Sequence, residues 1–445
     1  MLASNLSLRR SVPGRLAPAG SAPKHRSFSF RASAQCNPVA PPPRPAPVVL
    51  GLGSLMETFA VEVRRAESRA LDVPLAAPFT IVTSRLERVG NVAVRVELRD
   101  GCVGWGEAPV LPSVTAEDQG LAMEKAREAC EALKRSPAMG LGRALGEIAA
   151  ILPGHEFASV RAGVEMALID AVANSIGTPL WRLFGGASNT LTTDITIPIV
   201  SPAEAADLAL KYRKQGFQTL KLKVGKDLKA DIEVLQAIRA VHPTCSFILD
   251  ANEGYKSSEA ILVLDKLNEM GVTPILFEQP VHRDDWEGLG HVSRIAIGKY
   301  GISVAADESC RSLDDVKTII KGNLANVINI KLAKLGVVGA LDIIEFAREH
   351  GLDLMIGGMV ETRLAMGFAG HLAVGFGCFK LVLPFLLIPL LIKSYLSDIW
   401  FLNALDFFHL RKVNLSLHNL LRPRKIGLIC STICSGSLIL ILPYC

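Results

Sequence analysis

TLKLKV (219–224) is the first of five apolar runs that each close on an ionisable side chain. The others are FILDAN (247–252), ILFEQP (275–280), SVAADES (303–309) and VINIKLA (327–333). Their polar residues are Lys223, Asp250, Glu278, Asp307 and Lys331, separated by 27, 28, 29 and 24 residues. That spacing is one strand plus one helix, the repeat of a (β/α) barrel, whose strand C-termini converge on one active site. The runs are apolar on both faces, as strands between a filled interior and a coat of helices must be. ITIPIV (195–200) and DLMIGGM (353–359) extend the pattern on either side, so seven βα units follow one another from Asp194. The expected fold is α/β, a (β/α)7β-type TIM barrel. A doubly wound open sheet competes, but it does not bring the ends of five consecutive strands around one point.

Singly, each polar residue has a plain reading. An Asp at a strand end caps the next helix, and a Lys such as Lys331 snorkels to water. The set reads differently. Lys221 and Lys223 share one face of their strand by the period-two rule, so both point into the barrel mouth. Two unpaired ammonium groups buried there would be costly. Three carboxylates, Asp250, Glu278 and Asp307, with a hard dication such as Mg²⁺ among them, change that balance.

The set also implies a reaction. A carbon acid beside a carboxylate resists deprotonation because the intermediate carries two negative charges. Mg²⁺ held by the three acids would ligate the substrate carboxylate and stabilise the enediolate. Lys221 would add charge at the same oxygens and bring its neighbour Lys223 towards a usable base. Three strands separate Lys223 from Lys331, which places Lys331 across the pocket. A base on one face and an acid on the other invert a stereocentre, so racemisation or epimerisation follows. Asn252 serves either metal-bound water or the turn after Asp250.

Around this core the composition divides the chain. Residues 1–56 hold seven Lys/Arg and no acid, so of the net +5 the remainder carries 5 − 7 = −2. A near-neutral body gives no reason to expect a nucleic-acid partner. The Arg-, Ser-, Ala- and Pro-rich segment, ending in PPPRPAP, fits an organellar transit peptide and a stiff linker, with the chloroplast favoured over the mitochondrion. Residues 57–188 read as an α+β capping domain: alternating strands such as VAVRVEL (92–98), then a helix over 116–136 opened by Thr115 and another over 158–177. The barrel takes 189–379. Nine scattered cysteines without a CxxC argue against a zinc site or a disulfide framework.

Several motifs resemble the enolase superfamily, muconate-lactonising subgroup, and within it the dipeptide epimerases of the L-Ala-D/L-Glu type. They are PFTIVTSR (78–85), GCVGWGEAP (101–109), AGVEMALIDA (162–171), GTPLWRLFGG (177–186), TLKLKVG, LDAN, EQP, ADES, NIKLAKLGV (329–337) and GGMVET (357–362). The resemblance covers about 57–380. It implies Mg²⁺ on Asp250, Glu278 and Asp307, catalysis by Lys223, Lys331 and Lys221, and a dipeptide substrate contacted by Thr196. It also implies that the loop Ala76–Val89 closes over the substrate, with Arg85 or Arg88 meeting a side-chain carboxylate. A cycloisomerase or an o-succinylbenzoate-type synthase is the nearest alternative activity. Large barrels of this kind associate, so a homo-oligomer is compatible with the sequence.

The likeness fails after Phe379. Dipeptide epimerases carry an Asp-x-Asp pair on the eighth strand for the peptide's ammonium, whereas this chain has no Asp or Glu between Glu361 and Asp398. Residues 380–445 are loaded with Leu, Ile, Ser and Cys. Three readings stay open for them. They are a translated non-coding segment that leaves a truncated, non-catalytic isoform, a membrane anchor over Ile426–Cys445, or a divergent eighth strand made from CFKLVL.

Overall fold

The computed structural model describes residues 51–382, apart from 83, 84, 113, 189 and 378, together with 439–441. The expected transit segment, up to residue 50, and most of the apolar segment after Val382 lie outside the described residues. The folded body begins with α1 (Leu52–Thr58), which buries Leu52 and Leu55. The linker therefore ends before Leu52 and not at residue 56, because two leucines one helical turn apart give this stretch a face to bury.

The capping domain is built on a three-stranded antiparallel sheet: β1 (Val63–Thr80), β2 (Arg85–Leu98) and β3 (Val103–Ala108). Three helices follow, α2 (Gln119–Arg135), α3 (Leu141–Ile151) and α4 (Ala158–Ser175). The start of α2 differs from the expected one. Asp118, not Thr115, is the N-cap, and its carboxylate accepts from the Leu121 amide at 2.8 Å. Thr115 is buried and its hydroxyl accepts from the Leu111 amide. Both types cap well, so the burial of Thr115 in the preceding turn decides between them.

Helix α4 is buried from Ala158 to Ala173 except at Arg161. It is buried on nearly every side because it lies between the cap sheet and the barrel. Two glycines of GCVGWGEAP explain how closely it packs. A Cβ on Gly104 would lie 2.1 Å from the Ala167 carbonyl oxygen, and one on Gly106 would lie 2.0 Å from that of Gly163. The motif is a bare strand edge for a helix to rest on.

The barrel strands are β4 (Ile195–Ile197), β5 (Thr219–Lys223), β6 (Ser246–Asp250), β7 (Leu276–Glu278), β8 (Ser303–Ala306), β9 (Val327–Ile330), β10 (Asp353–Ile356) and β11 (Phe379–Val382). They pair in parallel and in strict sequence order, with no ladder between β4 and β11 among the described residues. A helix follows each of the first seven, from α5 (Pro202–Lys214) through α6 (Leu228–Val241), α7 (Ser257–Glu269), α8 (Trp286–Tyr300), α9 (Leu313–Gly322) and α10 (Val337–Glu349) to α11 (Arg363–Phe376). Phe379–Val382, within CFKLVL, thus supplies an eighth strand. Ile356 pairs with Val382 and Leu354 with Phe379. Ile439–Ile441 pairs antiparallel with Thr190–Thr192. No helix among the described residues is long and apolar enough to cross a membrane.

Inside the sheet, Ile248, Leu276, Ala305, Val327 and Met355 form their own apolar cluster. They come from five successive strands. Two residues further on, on the same face by the period of two, stand Asp250, Glu278, Asp307 and Asn329. The charged layer of the mouth therefore rests on a dry floor.

Candidate active site

The register fixes who meets whom. Lys223 lies opposite Asp250, and Asp250 opposite Glu278. Thr196 lies opposite Lys221. The Lys221 ammonium bridges Asp250 Oδ2 and Glu278 Oε2 at 2.7 Å each. Lys223 Nζ lies 2.6 Å from the same Asp250 oxygen. Across the mouth Lys331 Nζ sits 2.5 Å from Asp307 Oδ2. All five residues that close the apolar runs are thus gathered as expected, together with Lys221.

Four side chains that the sequence reading passed over join them. Lys334, one turn after Lys331, sits 2.8 Å from Asp307 Oδ1 and also donates to the Asp307 carbonyl. Asn329 donates to Glu278 Oε1 at 2.9 Å. Glu308 accepts from Asn252 at 3.0 Å and leaves its second oxygen without a partner. Asp194 precedes β4, is wholly buried, and neither of its carboxylate oxygens has a partner among the described residues. Asn329 was accessible from VINIK, where it shares a face with Lys331. Asp194 gave no such signal, because β4 is too short to show a period.

The backbone at the mouth is bent to fit. Asn252, Glu253 and Gln279 have φ of 41°, 71° and 36°, a region that non-glycine residues enter only when neighbours hold them there. Gln279 is held on every side. Its amide nitrogen donates to the Val281 carbonyl and Ser309 Oγ, and its oxygen accepts from the amides of Asp307 and Ser309. It thereby ties the loop after β7 to Asp307.

Burial sets the charge balance. It opposes ionisation of Asp250, but Lys221 and Lys223 outweigh it and hold that carboxyl well below its usual range. Lys331 and Lys334 do the same for Asp307 against its own burial. Glu278 goes the other way: burial and the neighbouring Asp250 carboxylate push it up to about 8. Burial and Asp307 push Glu308 up to about 7. Among the described residues no group of three or more His, Cys, Asp or Glu side chains stands ready to hold an ion, because ammonium groups sit between the acids. The donor set nevertheless suits one. It is all oxygen, with orphaned oxygens on Glu308, Asn252 and Asn329 alongside.

The substrate-facing expectations fare differently. Thr196 is buried on the inner face beside Lys221. Arg85 lies at the end of the β1–β2 hairpin, paired with Thr80, whose carbonyl accepts from Ile199 just past β4. Its side chain is exposed and 3.9 Å from Glu87, so it stands on the rim and outside the buried cluster. Arg88 likewise points to Asp72 at 3.2 Å.

The cap grips the barrel at this same end. Glu107 of GWGEAP accepts from the Thr362 amide and hydroxyl, the Ala365 amide and Asn91 Nδ2. Asn91 also donates to the Val360 carbonyl. Between these anchors stands Glu361, which burial and the Glu107 carboxylate push up to about 8. A Cβ on Gly358 would lie 3.1 Å from its Oε2.

A capped, sequentially ordered eight-stranded parallel sheet with a Lys–acid–acid–acid–Lys mouth defines a class of α/β enzymes. Matches to known families agree. Residues 61–185 match the mandelate racemase / muconate lactonizing enzyme N-terminal domain, and residues 204–401 match the enolase C-terminal domain-like family. The L-Ala-D/L-amino acid epimerase of Populus trichocarpa is 79% identical over 328 residues, 74% of this chain and 78% of that protein. The substrate-liganded L-Ala-D/L-Glu epimerase structure from Bacillus subtilis superposes with a TM-score of 0.70 at 35% identity, covering 75% of this chain and 92% of that one. The Enterococcus faecalis V583 dipeptide epimerase, complexed with Mg and L-Leu-L-Tyr, gives a TM-score of 0.65 at 31% identity over 72% and 89%. The chain belongs to the enolase superfamily.

Proposed function

We propose that the protein is a dipeptide epimerase that moves the α-proton of a peptide's C-terminal residue from one face to the other. One observation carries this reading. Lys223 and Lys331 stand on the second and sixth of eight sequential strands, on opposite sides of the mouth, each on its own carboxylate. Burial works against the Lys331 ammonium, but Asp307 outweighs it and keeps it protonated. With Lys331 as the donor, Lys223 is the group on the other side that takes the proton. In the reverse direction the two exchange roles. The ammonium of Lys221 faces the same space and favours the enediolate charge over the neutral carbon acid. The fold around it keeps water out: Lys221, Asp250, Glu278 and Asp307 are all essentially inaccessible.

Asp250, Glu278 and Asp307 would hold Mg²⁺, which supplies the Lewis acidity that a substrate carboxylate needs while its α-carbon loses a proton. The dipeptide and the metal are supported by the relatives with bound Mg and peptide and by the all-oxygen donor set. The basic, acid-free composition ahead of residue 51 supports import into a plastid, which a fluorescent fusion of that segment would test.

The enzymatic test is incubation with L-Ala-L-Glu and with apolar dipeptides in deuterated buffer containing Mg²⁺. Exchange of the α-proton of the C-terminal residue, with appearance of the opposite configuration, is expected. No exchange with any dipeptide despite bound Mg²⁺ would refute the proposal.

A further inference from the structure

Asp250 Oδ2 accepts from both Lys221 and Lys223, which uses both of its lone pairs. Glu278 accepts from Lys221 on Oε2 and from Asn329 on Oε1. An ion that takes Asp250 Oδ2 or Glu278 Oε2 therefore competes with Lys221 for that oxygen. Lys221 is only 2% exposed, so an ammonium displaced from those oxygens cannot turn to water. A charged group in that position needs another buried acceptor.

One is present and unused. Asp194 lies two residues before Thr196, the register partner of Lys221. It is 0% exposed, and among the described residues neither carboxylate oxygen has a hydrogen-bond partner. Buried carboxylates without partners are rare because they cost so much. The cation that acts on it most strongly is Lys221. No capping, turn or interdomain contact accounts for it.

We propose that Asp194 is the second seat of the Lys221 ammonium, taken when a divalent ion claims oxygens of Asp250 and Glu278. Asp194 is then a positioning residue: it draws Lys221 off the metal ligands and holds it beside Thr196, where it can meet a substrate carboxylate. This rests on the metal site assigned under the proposed function, so the test reads ion binding and not turnover.

Mg²⁺ affinity is measured calorimetrically on the full chain and on Asp194→Asn, Lys221→Met and the double variant. Asp194→Asn should weaken binding about tenfold, the usual cost of losing a group that supports metal ligands. Lys221→Met removes the competitor and should not weaken it, and in that background Asp194→Asn should change nothing further. Unaltered affinity in Asp194→Asn overturns the proposal, as does the same loss recurring in the double variant. A second measurement needs no variant to fold: on the unaltered chain labelled with ¹⁵N-lysine, Mg²⁺ must shift the Lys221 ammonium resonance, and an unmoved signal overturns the proposal. If the unaltered chain takes up no ion at all, the metal assignment falls and this inference falls with it.

Discussion

Lys223 and Lys331 belong to the second and sixth of eight sequential strands, held by Asp250 at 2.6 Å and by Asp307 at 2.5 Å. Two amines on opposite sides of one carbon give each configuration its own base. Lys223→Ala and Lys331→Ala should each lower epimerisation by about a thousandfold or more. Each variant should still wash deuterium into one configuration of the peptide, the two variants retaining opposite ones. Proton NMR in deuterated buffer reads both effects, and loss of exchange from the same configuration in both would contradict the opposed arrangement.

Glu107 ties the cap sheet to the loop that carries Glu361. Glu107→Ala would strand the amides of Thr362 and Ala365 together with the Thr362 hydroxyl. A stability loss of about 3 kcal/mol is expected in urea denaturation, since unsatisfied buried donors cost about 1–3 kcal/mol each and partly relax. Glu107→Gln keeps one acceptor oxygen and should lose about half as much.

How far the sequence foretold these features depended on range. The five run-ending residues were legible because a repeat of one strand plus one helix and a period of two are local patterns. The cap–barrel tie was not, since Glu107 and Thr362 stand 255 positions apart and nothing near either announces the other. Asp194 was hidden for another reason: a buried acid with no partner has no local signature. Arg85, a charge in a familiar motif, is exposed beside Glu87.

Glycine substitutions separate contact from flexibility. Gly106→Ala forces a methyl into the Gly163 carbonyl on α4 and should cost about 3 kcal/mol. Gly339 sits in α10 with nothing within 4 Å of a added Cβ. Gly339→Ala should therefore stabilise by about 0.5 kcal/mol through helix propensity. Thermal unfolding of the pair should move in opposite directions.

Asp170 accepts from the Trp105 amide at 2.9 Å, and burial pushes its carboxyl up from 3.8 to about 7. A raised acid binds its proton more tightly in the folded chain than in the unfolded one. Its contribution is complete below pH 4 and is lost as pH climbs through 7. The loss of stability between pH 5 and pH 8 should be about 2 kcal/mol smaller in Asp170→Asn than in the unaltered chain. Equal slopes in urea titrations at the two pH values would show that this carboxyl ionises normally.

Helix α10 follows directly on the lysines of the mouth, yet its own N-cap, Gly336, contributes no side-chain bond. The missing acceptor comes from Glu165 of α4, which takes the amides of Val337 and Val338. Arg161, one turn earlier, adds a bond to the Leu335 carbonyl. The cap therefore finishes a piece of secondary structure that the barrel leaves incomplete. A chimera with a cap borrowed from a distant relative would inherit a frayed helix beside Lys331 and Lys334 unless those two side chains were transplanted with it.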